Sequence, residues 1–234
     1  MHRKFVLLLS LLVLFSVSAF AAKPAVGVAE FTNETSAGWW YSGVGRDLAD
    51  MLTNELAGTG KFKVVERAKL GPVLEEQDLA ASGRVSKSTG AKIGKLTGAQ
   101  YLIMGQLSAF ESDVKGTGGG VSFRGISVGG KKEDAYLAVD LRVINTTTGE
   151  IEFTRTVEAR ASSGGLNVGL YRGGFGGNLS KYEKTPTGKA IRAVIMEISE
   201  YLACAMVDQG DCMADYQAKE SARREKTKKA IKLD

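Results

Sequence analysis

The spacing of apolar residues changes once along this chain, and the change limits the folds open to it. From Lys23 to about Phe110, short apolar runs alternate with segments whose apolar residues recur at helical spacing. Ala25–Ala29, Phe62–Val65 and Tyr101–Gly105 have the composition of buried strands. Strands that alternate with helices favour an α/β layer.

The helical segments are marked by apolar residues three or four positions apart. This spacing predicts helices over residues 44–56, 70–80, 88–96 and 187–206. Pro72 lies in the first turn of its helix and Pro186 just before the next one, where a proline is favoured. We expect the last of these helices to return to the α/β layer.

Between Leu107 and Ser180 the helical period is lost, and glycine and strand-like alternation replace it. We predict four strands in two long hairpins, with strand lengths near the roughly 9–11 residues of a membrane β-strand. The clearest strand has one apolar face: Ala135, Leu137, Val139, Leu141 and Val143. Such a face meets lipid in a membrane strand and packs on helices in a core strand, and both show the same alternation.

Residues 1–21 have the pattern of a secretory signal peptide. A positively charged start precedes an apolar run over Phe5–Phe15, and Ala19–Ala21 has the small-x-small form of a cleavage site. The run is too short for a membrane anchor, which needs about 20 apolar residues. We therefore predict an exported protein that begins at Ala22 or Lys23, and no cysteine lies near this cut to suggest a lipoprotein signal.

The composition argues against catalysis and metal binding. The single histidine, His2, lies in the leader, so the exported chain has no imidazole for Ser-His or Cys-His catalysis or for a histidine metal site. Acidic residues are scattered, with no paired carboxylates on a shared face. We expect a protein that is not an enzyme and that uses no cofactor and no metal.

The two cysteines of the chain, Cys204 and Cys212, are eight positions apart. In an oxidising compartment, this pair is most simply a disulfide. A two-thiolate metal site is the less favoured alternative, because no third ligand stands out in the sequence.

The net charge of +5 is concentrated in residues 217–234. This segment is rich in Lys, Arg and Ala, which is typical of an exposed helix or of a disordered tail. The rest of the exported chain is close to neutral. We therefore expect no nucleic-acid binding, which requires a basic surface on a folded body.

Trp39, Trp40 and Tyr41 lie together in the loop between the first strand and the first helix. Tryptophan is mostly buried in proteins, so these residues could cap the core. Aromatic residues in loops are also enriched where partners bind, which makes a contact surface the alternative hypothesis.

Several segments, in order and spacing, resemble the curli-secretion channel family (CsgG-like). They are Ala25–Phe31, Met51–Leu52, Phe62–Arg67, Gly98–Gly105, Leu141–Asn145 and Thr148–Ile151. The resemblance implies an outer-membrane export channel to which each subunit contributes two hairpins of one shared barrel, above a ring of periplasmic α/β domains. It also implies that the loop after the first strand narrows the pore. In this chain, that places Trp39, Trp40 and Tyr41 at a pore constriction.

We therefore expect an α/β fold with two long β-hairpins and a C-terminal helix. The predicted segments are a leader (1–21), a periplasmic α/β domain (22–110), the candidate barrel hairpins (111–182), the C-terminal helix (183–208) and a charged tail (209–234). The expected function is that of a subunit of a homo-oligomeric outer-membrane pore that exports an unfolded, amyloid-like protein. Its expected partners are copies of itself, the exported protein and outer-membrane lipid.

Two features favour an alternative function. The chain lacks the lipidated N-terminal cysteine of the best-known member, and residues 162–178 are rich in glycine and polar residues. The alternative is a soluble periplasmic adaptor or regulator that binds a cell-envelope partner.

Overall fold

The computed structural model describes residues 22–116, 121–123, 126–128, 131–163, 179, 182 and 184–230. The predicted signal peptide over residues 1–21 lies outside the described residues. So do residues 164–178, where the sequence predicts part of the second hairpin, and residues 231–234.

The described residues form an α/β chain of short strands, long strands and helices. In chain order they are β1 (Ala25–Val28), β2 (Thr32–Asn33), α1 (Val44–Thr59), β3 (Lys63–Val64), α2 (Gly71–Ala81), β4 (Tyr101–Gly116), β5 (Val121–Phe123), β6 (Ile126–Val128), β7 (Lys131–Asn145), β8 (Ile151–Ser162), α3 (Pro186–Ala203) and α4 (Asp211–Ala230). A π-helical turn, Cys204–Asp208, joins α3 to α4.

The main sheet is mixed, which confirms the predicted α/β class. Its strand order is β3-β1-β4-β7-β8, and β2 adds to β4. Strand β1 pairs in parallel with β3 and β4, and β2 pairs in parallel with β4. Strand β7 pairs antiparallel with both β4 and β8. The small β5–β6 pair forms a separate two-stranded sheet.

The long strands β4 and β7 form one continuous ladder that leaves the body of the sheet. Pairing runs from Tyr101 opposite Asn145 to Gly116 opposite Lys131, with a register shift between Leu107 and Ala109. At about 3.3 Å per residue, the 16 residues of β4 span about 50 Å. Strand β8 runs beside β7 as far as Asp134, which pairs with Asp113 of β4, and the part of the β4–β7 ladder beyond this pair is called the extended hairpin below.

Helices α1 and α3 cover one face of the sheet, as their apolar spacing predicts. Val44, Leu48, Leu52 and Leu56 of α1 are buried, and Gly60 ends the helix in the left-handed conformation at φ 66°. The start of α3 is set by Thr185, whose side chain accepts a hydrogen bond of 3.1 Å from the Gly188 backbone N–H. Together these helices bury one apolar core against β4, β7 and β8.

Three features of the chain differ from the sequence-based expectations. The helix predicted over residues 88–96 is wrong, because this segment forms turns and bends and Gly94 adopts φ 74°. The strand predicted to end at Gly105 continues to Gly116, so a domain boundary at residue 110 falls inside β4. The sequence places the hairpin of β7 and β8 in the candidate barrel, whereas the two strands pair within the main sheet from Asp134 to Ile144 of β7.

The charged tail forms helix α4 from Asp211 to Ala230, which is the first of its two predicted forms. A reversal at Gln209 (φ 50°) and Gly210 (φ 82°) turns the chain out of the π-helical turn. An ion pair between Lys61 and Asp208 holds this turn beside the end of α1. None of the described helices has both the length and the apolar run that a membrane crossing requires.

Candidate functional site

The candidate site is the aromatic loop, defined as residues 34–43 between β2 and α1. Its first half is a compact turn built on Asn33, whose side-chain oxygen accepts hydrogen bonds from the Thr35 backbone N–H (2.8 Å) and the Thr35 hydroxyl (2.7 Å). The Thr35 hydroxyl oxygen in turn accepts from the Ala37 backbone N–H at 3.2 Å. These local bonds fix the direction in which the three aromatic residues leave the turn.

Trp39 is a core residue in the structure, with 4% of its surface exposed. Its ring meets the ring of Phe110 edge-on, with centroids 5.7 Å apart, and meets that of Trp40 at 5.6 Å in a tilted arrangement. A space of only about 10 Å³ remains beneath it, so the ring fills the core. The core-cap alternative therefore describes Trp39 in the single chain.

Trp40 and Tyr41 are half-buried and pack against the core. Burial raises the pKa of the Tyr41 phenol, and the nearby Asp47 carboxylate and Tyr182 raise it further. The loop ends at Gly43, whose φ of 97° is accessible to few residues other than glycine. A role of these aromatic residues in a pore constriction stays a prediction.

The aromatic loop lies at the base of the extended hairpin. Phe110, the ring that Trp39 contacts, follows the register shift between Leu107 and Ala109 and precedes the extended hairpin by three residues. The loop is also tied to the sheet by β2, since Asn33 pairs with Leu107 and the Glu34 N–H donates to the Leu107 carbonyl at 3.0 Å. Loop and hairpin therefore share one stretch of β4.

The apolar face predicted on β7 is buried in this structure. Its members are 3% exposed or less: Ala135, Leu137, Val139, Leu141 and Val143. Helix α3 supplies the opposing side chains of this core, among them Ile191, Val194 and Ile195. The single chain thus uses this face as a core strand, and lipid contact at these positions is not compatible with that packing.

Cys204 and Cys212 form a disulfide, with their sulfur atoms 2.01 Å apart. Cys204 is buried at the end of α3, whereas Cys212 is half-buried in the first turn of α4. The bond therefore joins α4 to the core across the reversal at Gln209 and Gly210. Among the described residues, no group of three or more His, Cys, Asp or Glu is placed to hold a metal ion.

A second cluster was not identified from the sequence. The Arg155 guanidinium of β8 lies over the rings of Tyr216 (4.5 Å to the centroid) and Tyr201 (5.0 Å), which meet edge-on at 5.2 Å. Burial raises the pKa of Tyr216 to about 12, with further contributions from Glu197 and Glu200. These residues come from three elements, so no local motif signals the cluster.

Together, these features define a class of α/β domain in which a mixed sheet runs into a long antiparallel hairpin and an aromatic loop packs at the base of that hairpin. The chain belongs to the family described as the curli production assembly/transport component CsgG, whose sequence model matches residues 9–231. This match confirms the resemblance found in the sequence.

Individual relatives are distant. The chain is 29% identical over 126 residues to the curli production assembly/transport component CsgG of Escherichia coli K12, covering 52% of this chain and 46% of that protein. It thus spans about half the length of this relative. It is also 28% identical over 168 residues to a protein of Neisseria meningitidis serogroup B named as a lipoprotein, covering 71% of this chain and 66% of that one.

Among solved structures, the Chlamydia trachomatis protein CT253 superimposes with a TM-score of 0.49 at 14% identity. The match covers 80% of this chain and 100% of the Chlamydia trachomatis chain.

Proposed function

We propose that this protein is a subunit of a homo-oligomeric outer-membrane pore that exports an unfolded, curli-like or amyloid-like protein. Membership of the CsgG family supports a role in curli assembly and transport. The predicted signal peptide supports export from the cytoplasm, with the α/β body in the periplasm and the hairpins in the outer membrane. The proposal involves no catalytic step and no cofactor.

The observation that carries the proposal is the ladder between β4 and β7. It continues past the buried core to the pair of Gly116 and Lys131. Open strand edges in lipid leave backbone groups unpaired at a cost of several kcal/mol each. Known membrane barrels need at least about eight strands, so the hairpins of one chain cannot close one. Copies of the subunit must therefore pool their hairpins.

The aromatic loop suits a constriction in such an assembly. Cyclic symmetry repeats one loop around the axis, and aromatic side chains contact varied polypeptide without requiring fixed hydrogen bonds. Since Trp39 is held in the core, Trp40 and Tyr41 are the side chains that would face the passing chain, with Trp39 as their support.

The adaptor is retained as a second candidate because of one observation. Residues 162–178, which would supply much of the second hairpin, are rich in glycine and polar residues. A lipid-facing strand requires an unbroken apolar band, whereas a soluble periplasmic regulator does not.

Two measurements separate these candidates. Blue-native electrophoresis of outer-membrane extracts should give a high-mass assembly of the pore, whereas a monomer in detergent would favour the adaptor. Single cysteines placed at successive positions from Glu111 to Lys115 can then be treated with a lipid-soluble reagent. A membrane strand should label at every second position, because side chains alternate between its two faces. An adaptor should label at none.

A further inference from the structure

A cleft runs along the outer edge of β8, beneath α4. Among the described residues, β8 pairs only with β7 and is the last strand of the sheet. The cleft consists of two adjoining spaces of about 450 and 540 Å³, with β8 on one side and α4 on the other. Every residue from Arg155 to Arg160 lines it. Consecutive strand residues point to opposite faces, so a space that borders all six follows the strand edge.

Helix α4 covers this edge without pairing to it. Its buried contact is Tyr216, which packs on Tyr201, and further along Arg223 lies 3.7 Å from Glu158. The disulfide at Cys212 holds its first turn to the core. Proteins commonly cover open edges in this way to prevent sheet-to-sheet association. Here the space left beneath the helix has the size of a ligand pocket.

The cleft has an excess of positive charge. Its basic side chains are Arg155, Arg160, Lys219, Arg223 and Arg224, and its acidic ones are Glu158, Glu197 and Glu220. Glu220 is already engaged by Arg223 (2.8 Å) and Arg224 (2.7 Å). The Arg155 guanidinium donates a hydrogen bond of 3.5 Å to the Tyr216 carbonyl, and its buried Nε finds no acceptor in the described part of the chain. A guanidinium that contacts two tyrosine rings and has no carboxylate partner among the described residues suits an incoming carboxylate.

We propose that this cleft binds a short, extended, acidic peptide of a partner protein as an added strand on β8. Backbone hydrogen bonds to the edge of β8 that is unpaired among the described residues would supply affinity, as in other strand-addition complexes. A carboxylate beside Arg155 would supply specificity. The covering helix limits the occupant to a single strand of a few residues. This site does not rest on the proposed pore, because it needs neither a membrane nor an assembled ring.

The test uses fluorescence anisotropy with the purified exported protein and labelled hexapeptides. The probe is an acetylated peptide of alternating valine and glutamate. One control peptide replaces each glutamate by lysine. Two further controls carry N-methyl groups on alternate backbone nitrogens, one on the odd-numbered residues and one on the even-numbered residues. We expect the glutamate peptide to bind about tenfold more tightly than the lysine peptide. Methylation of the nitrogens that face β8 should abolish binding, because the backbone N–H groups that would donate hydrogen bonds to the strand are lost. Methylation of the other set should be tolerated.

Matched variants locate the site. Arg155→Gln should weaken binding of the glutamate peptide about fivefold or more, whereas Arg142→Gln, which removes an exposed arginine of β7 outside the cleft, should leave it within about twofold. Absence of binding, equal affinity for the two peptides, or equal binding of both methylated forms would overturn the proposal. The peptide comparisons use the unmodified protein and so do not depend on the folding of a variant. Light scattering that finds a dimer dissociated by the peptide would assign the edge to a second copy instead.

Discussion

The ring of Trp39 meets the ring of Phe110 at 72°, with the two centroids 5.7 Å apart. Because Phe110 belongs to β4, the strand that continues into the extended hairpin, this contact connects the aromatic loop to the strand that carries the hairpin. The loop conformation and the strand position are therefore coupled through one buried aromatic pair, which double-mutant cycles can measure.

Trp39→Ala should destabilise the fold by about 3–5 kcal/mol, because it removes a buried ring from a tightly filled core. Trp39→Phe should cost less than half as much, since it retains an aromatic ring and removes an indole N–H that has no acceptor among the described residues. Urea unfolding of the three proteins checks this. Equal stabilities of the alanine variant and the parent would show that Trp39 does not cap the core.

Trp40→Ala should widen the proposed constriction and raise single-channel conductance in planar bilayers. The half-buried position of Trp40 predicts a smaller loss of stability than for Trp39→Ala, so the assembly should survive. Thermal unfolding must be measured on the same preparation. A correctly assembled variant with parental conductance would remove Trp40 from the pore.

Gly45→Ala should destabilise the protein by about 1–3 kcal/mol or more. An added Cβ at Gly45 would lie 2.1 Å from the Phe31 carbonyl oxygen, and the Phe31 N–H already donates to the Gly45 carbonyl at 3.0 Å. Gly58→Ala, in the same helix, meets nothing within 4 Å and should stabilise by about 0.4–1 kcal/mol. Melting temperatures should therefore move in opposite directions, and a shared direction would contradict this account.

The disulfide should stabilise the protein by about 2–3 kcal/mol by closing a short loop. Alkylation of the exported protein without reductant should find neither Cys204 nor Cys212 free. Cys212→Ser should release α4 to proteases, and reduced parental protein should behave in the same way. Two alkylated thiols in untreated protein would mean that the bond does not form in the cell envelope.

Glu220 should link stability to acid pH. Hydrogen bonds from Arg223 and Arg224 lower its pKa to about 2, from an ordinary value of 4.5. Because the carboxylate is ionised more readily in the folded chain than in the unfolded one, Glu220 stabilises the fold above about pH 4.5. This contribution to stability is lost as the pH falls towards 2. Glu220→Gln should therefore cost about 0.5–1 kcal/mol at pH 7 after solvent screening, and progressively less below pH 4.5. The control Glu225→Gln, on the exposed face of α4, should change stability by less than about 0.5 kcal/mol at pH 7. A loss for Glu220→Gln that does not vary with pH would contradict the linkage.

The sequence predicted those strands and helices whose apolar residues recur at a regular spacing. The buried strand at Ala25–Val28 and helices α1 and α3 follow from apolar periodicity. The continuation of β4 past Gly105 could not be predicted, because the apolar alternation is broken at Ser108, where the register shifts, and polar residues such as Glu111 follow.

The candidate site was predictable as a loop but not in its geometry. Three neighbouring aromatic residues mark residues 39–41, yet the burial of Trp39 depends on Phe110, which is remote in sequence. The cluster of Arg155, Tyr201 and Tyr216 could not be predicted for the same reason: its members are remote in sequence, and only tertiary packing brings them together.

The unbroken pairing of β4 beyond Ala109 has a mechanical consequence. From Leu107 to Gly116 the strand extends about 30 Å, and its ladder with β7 is continuous beyond Ala109. Between Ala109 and Gly116 the ladder has no break that can serve as a hinge, so this part of the hairpin moves as one rigid arm. At its root, Leu107 and Leu137 are buried in the core. A small rotation at this root is magnified at the far end, which means that the packing of the body determines the direction in which the hairpin points.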